Sequence, residues 1–503
     1  MNAPLRKAGV VILVLFGLLF VNLNYVQAYK ADAYRTSDYN GRVQVAEYQR
    51  PRGVIEADGG QPLAQSKPTD DTLKYLRIYP SKQVEAWAPV VGYKPVNGAA
   101  TGIERSENDF LAGTSDTLFA DRVSDMFTGD KTGGGNVVLS LKTKAQAVAY
   151  RELVNNQRGV GKGAAIAIDP RTGAVQAMVT MPSYDPNPLT SHDRKTAAAA
   201  YDKLIKDKDQ PLLNRGTADT KPPGSTFKTI ISAAALQNGY DVNTEIPAGA
   251  IYRPPGTTTP IRNAEDEVCP GAQVTLKEAL TTSCNTAFAQ LGVKLGADTV
   301  KRTAQAFGFE QNDLTVGNLQ DGGLPVVASK TGDMQNPDGS TDQAALAQSS
   351  LGQANVRMTV MQGALIAATV ANGGQQMRPY LVQQLLDADR RPLYTANPKT
   401  LRNPVDSNVA GKLKEMMVSV VENGTGKRAR IDGMEVGGKT GTAQNAAGAD
   451  PHGWFIGFAF NSKGEPVSAA CVMLENVPGG HASAEAARIT GLIMKAAAGQ
   501  GGD

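Results

Sequence analysis

The sequence predicts an α/β fold in which a layer of strands packs against helices. Three observations carry that expectation: strand-like runs open the larger part of the chain, strand-like runs close it, and helical stretches fill the interval. At the opening, Ala164–Asp169 reads as a buried strand, Arg171-Thr172-Gly173 supplies a turn, and Ala174–Met181 pairs back as a hairpin. At the close come strand candidates over Glu435–Thr442, Trp454–Phe460 and Pro466–Leu474, then a last helix from Ala482 to about Ala498. Between them lie helical stretches over Thr226–Gln237, Leu276–Leu280, Ala287–Leu295 and Val360–Ala371, the last stopped by Asn372-Gly373-Gly374.

At 503 residues the chain has room for two or three domains. Residues 31–160 are mixed and turn-rich, with a strand over Asn136–Leu141 and a helix over Lys144–Leu153. The glycines at 159, 161 and 163 mark a boundary, so residues 161–498 form the larger domain and 499–503 a frayed tail. Residues 1–30 read as a short cytoplasmic tail and a transmembrane anchor. Ala8–Ala28 is nearly continuous apolar sequence, and Arg6 and Lys7 precede it, which predicts a cytoplasmic N-terminus. The alternative is a cleaved signal peptide, since Val26-Gln27-Ala28 loosely resembles a cleavage site. Either way, the chain from residue 30 onward is expected outside the cytoplasm.

Composition narrows the chemistry. Apolar residues make up 41%, charged residues 20%, and the net charge is only +3, with no basic block to favour a nucleic-acid partner. Histidine occurs only at 192, 452 and 481. Ser191, His192 and Asp193 are neighbours in sequence and cannot face one another as a triad. No His-Glu-x-x-His or Cys-x-x-Cys is present, so no metal is expected. Outside the cytoplasm thiols can pair. Cys269 and Cys284 are close in sequence and are expected to form a disulfide, with Cys471 buried and free; three reduced thiols is the alternative.

Ser225-Thr226-Phe227-Lys228 is the only Ser-x-x-Lys in the chain. Pro222-Pro223-Gly224 stops regular structure before it and an apolar helix follows, which places Ser225 at a helix N-terminus where developing negative charge is favoured. Lys228 falls on the same helical face, and a desolvated lysine can act as a base toward serine. Taken alone, the motif reads more readily as a helix cap followed by a surface lysine, because Ser-x-x-Lys is a frequent accident. Ser283-Cys284-Asn285 follows, flanked by helical sequence, where the serine could relay a proton and the Asn amide could hold a carbonyl. Ser106-Glu107-Asn108 has the same form but lies in the front domain.

Lys-Thr-Gly occurs at 131, 330 and 439. The first lies in a Gly-rich turn of the front domain, and Asp333 follows the second and would repel an anion. Lys439-Thr440-Gly441 continues into Thr442-Ala443, a cationic, hydroxyl-lined strand edge suited to a carboxylate. Gly433 to Thr440 also fits the phosphate-loop pattern, but lacks the apolar strand before it and the helix after it that such a loop requires.

The ordered set Ser-Thr-Phe-Lys, Ser-Cys-Asn and Lys-Thr-Gly-Thr resembles the penicillin-binding protein and serine β-lactamase superfamily. Asn214-Arg215, Gly424-Thr425-Gly426 and Trp454–Phe458 strengthen the likeness. Arg52-Gly53-Val54-Ile55 and Gly102-Ile103-Glu104 extend it to the front domain of class B members, and the layout is similar to the penicillin-binding protein A group of high-GC Gram-positive bacteria. The loop Gly352-Gln353-Ala354 departs from relatives that carry a second glycine there. The resemblance implies an antiparallel sheet flanked by helices, behind a smaller mixed pedestal or dimerisation-like domain and one transmembrane helix.

It further implies a D,D-transpeptidase that needs no cofactor. Ser225 would attack stem peptides ending in D-Ala-D-Ala, Lys228 would take its proton, and Ser283 would pass it on. Asn285 would hold the substrate amide, Lys439, Thr440, Gly441 and Thr442 would bind the terminal carboxylate, and the N–H groups of Ser225 and Thr442 would form the oxyanion hole. β-Lactams would be inhibitors; a membrane glycosyltransferase and other cell-wall or division proteins would be partners. The rival activities are a D,D-carboxypeptidase or β-lactamase, and a non-catalytic β-lactam sensor or division scaffold.

Overall fold

The structure, a computed structural model, describes residues 3–31, 34, 47–118, 133–265, 267–320, 322–444 and 448–499. It begins with a helix, Ala3–Asn24, continued by a π-helical turn at Tyr25–Tyr29. The segment Arg6–Tyr29 has a mean hydropathy of 2.3 over its most apolar window and buries none of that window against the rest of the protein. Val10, Leu13, Phe16 and Phe20 all stand exposed on it. Water opposes that display and a lipid interior accommodates it, and the length suffices to cross a bilayer.

Two sheets build the body. The front sheet has six strands in the order Pro392–Thr395, Val382–Leu386, Asn136–Lys142, Ile55–Asp58, Pro62–Pro68 and Tyr75–Ile78. Ile55–Asp58 and Asn136–Lys142 are parallel, and the other neighbours antiparallel. The first two strands come from late in the sequence, after the helix Val360–Ala371, so the front sheet draws on both sides of residue 160. Beneath it, Glu104 is fully buried between two arginines: Arg52 Nε lies 2.7 Å from one carboxylate oxygen and Arg77 Nε 2.6 Å from the other. Burial opposes ionisation of Glu104, but Arg77 and Arg52 outweigh it and hold the carboxyl below the usual range. The Arg-Gly-Val-Ile and Gly-Ile-Glu segments thus meet as one ion cluster.

The rear sheet has five strands in the order Glu435–Ala443, His452–Phe460, Pro466–Leu474, Gly163–Ile168 and Val175–Met181, every pair antiparallel. Its strands are apolar without a polar face because both faces are covered. Ile166, Cys471, Trp454 and Ile456 point into one core with the helices Lys228–Gln237 and Val360–Ala371. Ala165, Ala167, Val472 and Phe455 point into another with Thr143–Val154 and the C-terminal helix Ala482–Ala497. Side chains alternate between two cores rather than between core and water. The helix Val360–Ala371 packs so close that a Cβ on Gly363 would lie 2.6 Å from Cys471 Sγ. Front and rear are tied by buried hydrogen bonds: Ser140 Oγ donates to the Val175 carbonyl at 2.9 Å, and Gln146 Nε2 to the carbonyls of Ala86 and Met178 at 2.7 and 2.8 Å.

The layered fold holds as expected, with one local difference at Ser225. The expected helix over Thr226–Gln237 is α-helical only over Lys228–Gln237, and Gly224–Phe227 is a 3-10 turn leading into it. Tertiary contact tightens that turn. Gly224 has φ +54° and donates its N–H to the Gly352 carbonyl at 3.0 Å, and Thr226 Oγ1 donates to the Pro223 carbonyl at 2.9 Å.

Candidate active site

Ser225 is half-buried in that turn, directly before the helix that begins with Lys228. Lys228 is wholly buried, above the Phe288 ring, and its Nζ donates to the Ser283 carbonyl (2.8 Å), Ser283 Oγ (3.2 Å) and Asn285 Oδ1 (2.8 Å). Burial lowers its pKa to about 7, because the charged form loses its hydration. Ser283 ends the helix Leu276–Thr282 in the left-handed region, φ 62°, and Asn285 starts the helix Asn285–Leu295. The Ser-x-Asn turn is therefore the loop between helices that its flanks suggest.

The strand Glu435–Ala443 forms the facing wall. A Cβ on Gly441 would lie 2.5 Å from the Pro223 carbonyl oxygen, and one on Gly224 would lie 2.4 Å from the Thr442 oxygen. Only glycines let strand and turn approach so closely, and they set Ser225 beside the Lys-Thr-Gly-Thr run. Lys439 is fully buried with no counter-ion among the described residues; among them its Nζ reaches only the Thr440 carbonyl and Thr440 Oγ1, at 3.2 and 3.3 Å. Burial, then the neighbouring Lys228, pushes its pKa well below the usual lysine value. Such an amine gains most from an arriving carboxylate. Thr442 is exposed at the rim.

Three further side chains complete the cleft, and for two of them, Ser483 and Asn263, no local signal in the sequence marks a role. Thr425 Oγ1 lies 2.6 Å from Thr440 Oγ1, and Gly424 packs against the Thr281 carbonyl oxygen, where its Cβ would lie only 2.1 Å away. Ser483, at the start of the C-terminal helix, receives a hydrogen bond from Thr442 Oγ1 at 3.4 Å. Asn263 Oδ1 accepts from the backbone N–H of Asn285 at 2.9 Å. Thr425 falls in a stretch noted for its family likeness; Ser483 and Asn263 come from other elements.

The competing motifs go elsewhere. Lys330 exchanges backbone hydrogen bonds with Arg357, and Thr331 binds the Glu310 carboxylate. Lys131 and Thr132 lie outside the described residues. Lys439 sits mid-strand opposite Ile456, so Gly433–Thr440 forms no phosphate loop. His192 contacts Asp71 at 2.5 Å, while Asp193 caps a helix. One expectation is corrected: Cys269, Cys284 and Cys471 are all free thiols. The Cys269 and Cys284 thiols are nevertheless neighbours, in hydrogen-bond contact with each other, with Thr286 Oγ1 (3.5 Å) and Asn263 Oδ1 (3.7 Å) beside Cys284 and Thr282 Oγ1 (3.6 Å) beside Cys269.

The chain's likeness to known proteins agrees with this geometry. Residues 163–495 match the penicillin binding protein transpeptidase domain, and residues 52–137 the penicillin binding protein A dimerisation domain. The chain is 41% identical to "Peptidoglycan D,D-transpeptidase PbpA" of Mycolicibacterium smegmatis, over 95% of this chain and 94% of that one. It is 38% identical to the protein of the same name from Mycobacterium tuberculosis, over the same shares. The structure of penicillin-binding protein A from M. tuberculosis, as its ceftriaxone acyl-enzyme complex, superimposes with a TM-score of 0.82 at 37% identity, covering 90% of this chain and 99% of that one. The chain belongs to the penicillin-binding protein transpeptidases, and within them it is of the penicillin-binding protein A type.

Proposed function

We propose that the chain is a peptidoglycan D,D-transpeptidase that cross-links stem peptides through an acyl-enzyme on Ser225 and is blocked there by penicillin. One observation carries it: a buried lysine whose pKa is lowered to about 7 is held by Ser283 and Asn285 one turn after Ser225, opposite Lys439.

Ser225 Oγ bonds to the carbonyl carbon between the two D-alanines, and its proton passes to Lys228. The ammonium that results has three N–H groups. Two are held by the Ser283 carbonyl and Asn285 Oδ1, which can only accept, and the third points at Ser283 Oγ, which can take that proton while handing on its own. That supports Ser283 as the relay that delivers a proton to the leaving D-alanine amine as the C–N bond breaks. A stem-peptide amine then attacks the ester; its proton passes by way of Lys228 to Ser225 Oγ as the ester C–O bond breaks, which forms the cross-link and frees the serine. Lys439, Thr440 and Thr442 take the substrate carboxylate. The backbone N–H groups of Ser225 and Thr442 stabilise the oxyanion; losing one such donor costs about a hundred- to a thousandfold in rate.

The apolar N-terminal helix anchors the protein, with Arg6 and Lys7 on the cytoplasmic side and the body outside. There it works beside a membrane glycosyltransferase and other cell-wall or division proteins. The test is covalent labelling: Ser225→Ala is expected to abolish the mass increase seen with penicillin, and a labelled variant would refute the nucleophile assignment.

A further inference from the structure

We propose that Asn263, on a hairpin outside the three motifs, is a positioning residue that fixes the Ser283–Asn285 turn around Lys228. This rests on the acyl-enzyme function above and adds a part that none of its motifs contains.

The helix Asn285–Leu295 begins at a residue, Cys284, whose side chain caps nothing. Asn263 supplies the cap from outside. Its Oδ1 accepts from the N–H of Asn285 at 2.9 Å and of Thr286 at 3.1 Å, the first two helical donors. Its Nδ2 donates to the carbonyls of Val268 at 2.7 Å and Gly249 at 3.1 Å. The amide orientation follows from these partners, since a flip would set its NH2 against two N–H groups. The preceding residue returns the clasp: the Arg262 carbonyl accepts from Asn285 Nδ2 at 3.0 Å. With its backbone N–H and its Nδ2 both held by residues 262 and 263, the Asn285 amide has one rotamer. Its Oδ1 is thereby aimed at Lys228 Nζ, 2.8 Å away.

The clasp therefore reaches the base through Asn285 and touches no reacting atom. Removing it leaves two N–H groups at the helix start without an acceptor and frees the side chain that orients Lys228. Small misplacements of a general base cost rate steeply, on the order of a hundredfold.

The test is the rate of acylation by penicillin across pH, measured on the full chain with Asn263→Ala and Asn263→Asp, with melting curves alongside. Asn263→Ala is expected to acylate roughly a hundredfold more slowly, still at Ser225. Asn263→Asp keeps the acceptor and is expected to recover part of that rate. Its carboxylate also favours the Lys228 ammonium, so the rise of rate with pH should move to higher pH. A purely structural asparagine would change the folded fraction and leave the acylation rate per folded molecule in place. Wild-type rates per folded molecule in Asn263→Ala would overturn the proposal. If Asn263→Ala does not fold, the same rate in Asn263→Asp, taken on the high-pH plateau, decides, a wild-type value there overturning the proposal. Labelling of wild type that survives Ser225→Ala would instead refute the nucleophile and leave the clasp apart.

Discussion

Lys228 sets the pH behaviour of the site. Its amine must be neutral to accept a proton, and burial has brought its pKa to about 7. The acylation rate is therefore expected to climb with pH through about 7 and flatten above it; a rate independent of pH between 6 and 8 would remove Lys228 as the base. The same shift acts on stability. The folded pKa lies below the 10.5 of a free lysine, so the unfolded chain binds the proton more tightly. Stability should fall as pH drops from about 10.5 to about 7 and level off below. Lys439 makes a second prediction. Burial disfavours its charge and a bound carboxylate favours it, so ligand binding should take up a proton. Calorimetry of Ser225→Ala with penicillin in buffers of different ionisation heat should show that uptake, and Lys439→Met should abolish it. These residues were legible in the sequence because each motif is a short local string. Ser483 and Asn263 were not, because a lone Ser or Asn gains its meaning only from the element it is folded against.

The nucleophile turn shows what an element owes to its surroundings. Gly352 has φ +69°, and a Cβ there would lie 2.1 Å from the Gly224 carbonyl oxygen. Gly352→Ala must strain the left-handed backbone, at roughly 1–2 kcal/mol, and also push the turn away. It is expected to lower the melting temperature and slow acylation at least about tenfold, a displacement that costs rate as well as stability. Gly411 is the control: it is exposed within the helix Ser407–Glu422, with nothing within 4 Å of a Cβ. Gly411→Ala should stabilise by about 0.5–1 kcal/mol and leave acylation unchanged. The helix Val360–Ala371 was legible to its ends, since Thr359 caps it through the Gln362 N–H and Gly373 follows with φ +63°. The 3-10 turn at Gly224–Phe227 was not. The hydrogen bond that shapes it comes from Gly352, far along the chain, and no local pattern at Ser225 records it.

At the scale of the whole molecule, the front and rear halves share strands as well as a surface. The hairpin Val382–Leu386 and Pro392–Thr395 belongs by sequence to the larger domain, yet it pairs with Asn136–Lys142 at the front. The glycines at 159, 161 and 163 suggest a boundary near residue 160, and long-range pairing of this kind leaves no local trace that would counter them. An excised 161–498 fragment would keep every catalytic motif. It would also expose the edge of Val382–Leu386 and leave the Val175 and Tyr380 carbonyls without Ser140, and the Met178 N–H and carbonyl without Gln146. Unpaired buried backbone groups cost about 1–3 kcal/mol each, and an open apolar edge invites pairing with another chain. The front half has its own keystone. Glu104→Ala would leave Arg77 in the interior without a carboxylate among the described residues and Arg52 with Glu47 alone, a loss of about 3–5 kcal/mol. A chain starting at residue 47, without the apolar helix, retains both halves. It should be released from membranes, melt cooperatively and acylate at the full-length rate, whereas residues 161–498 alone should aggregate or melt far lower. A soluble 161–498 fragment that acylates with penicillin as fast as the longer chain would show that the shared sheet is not needed to hold the cleft.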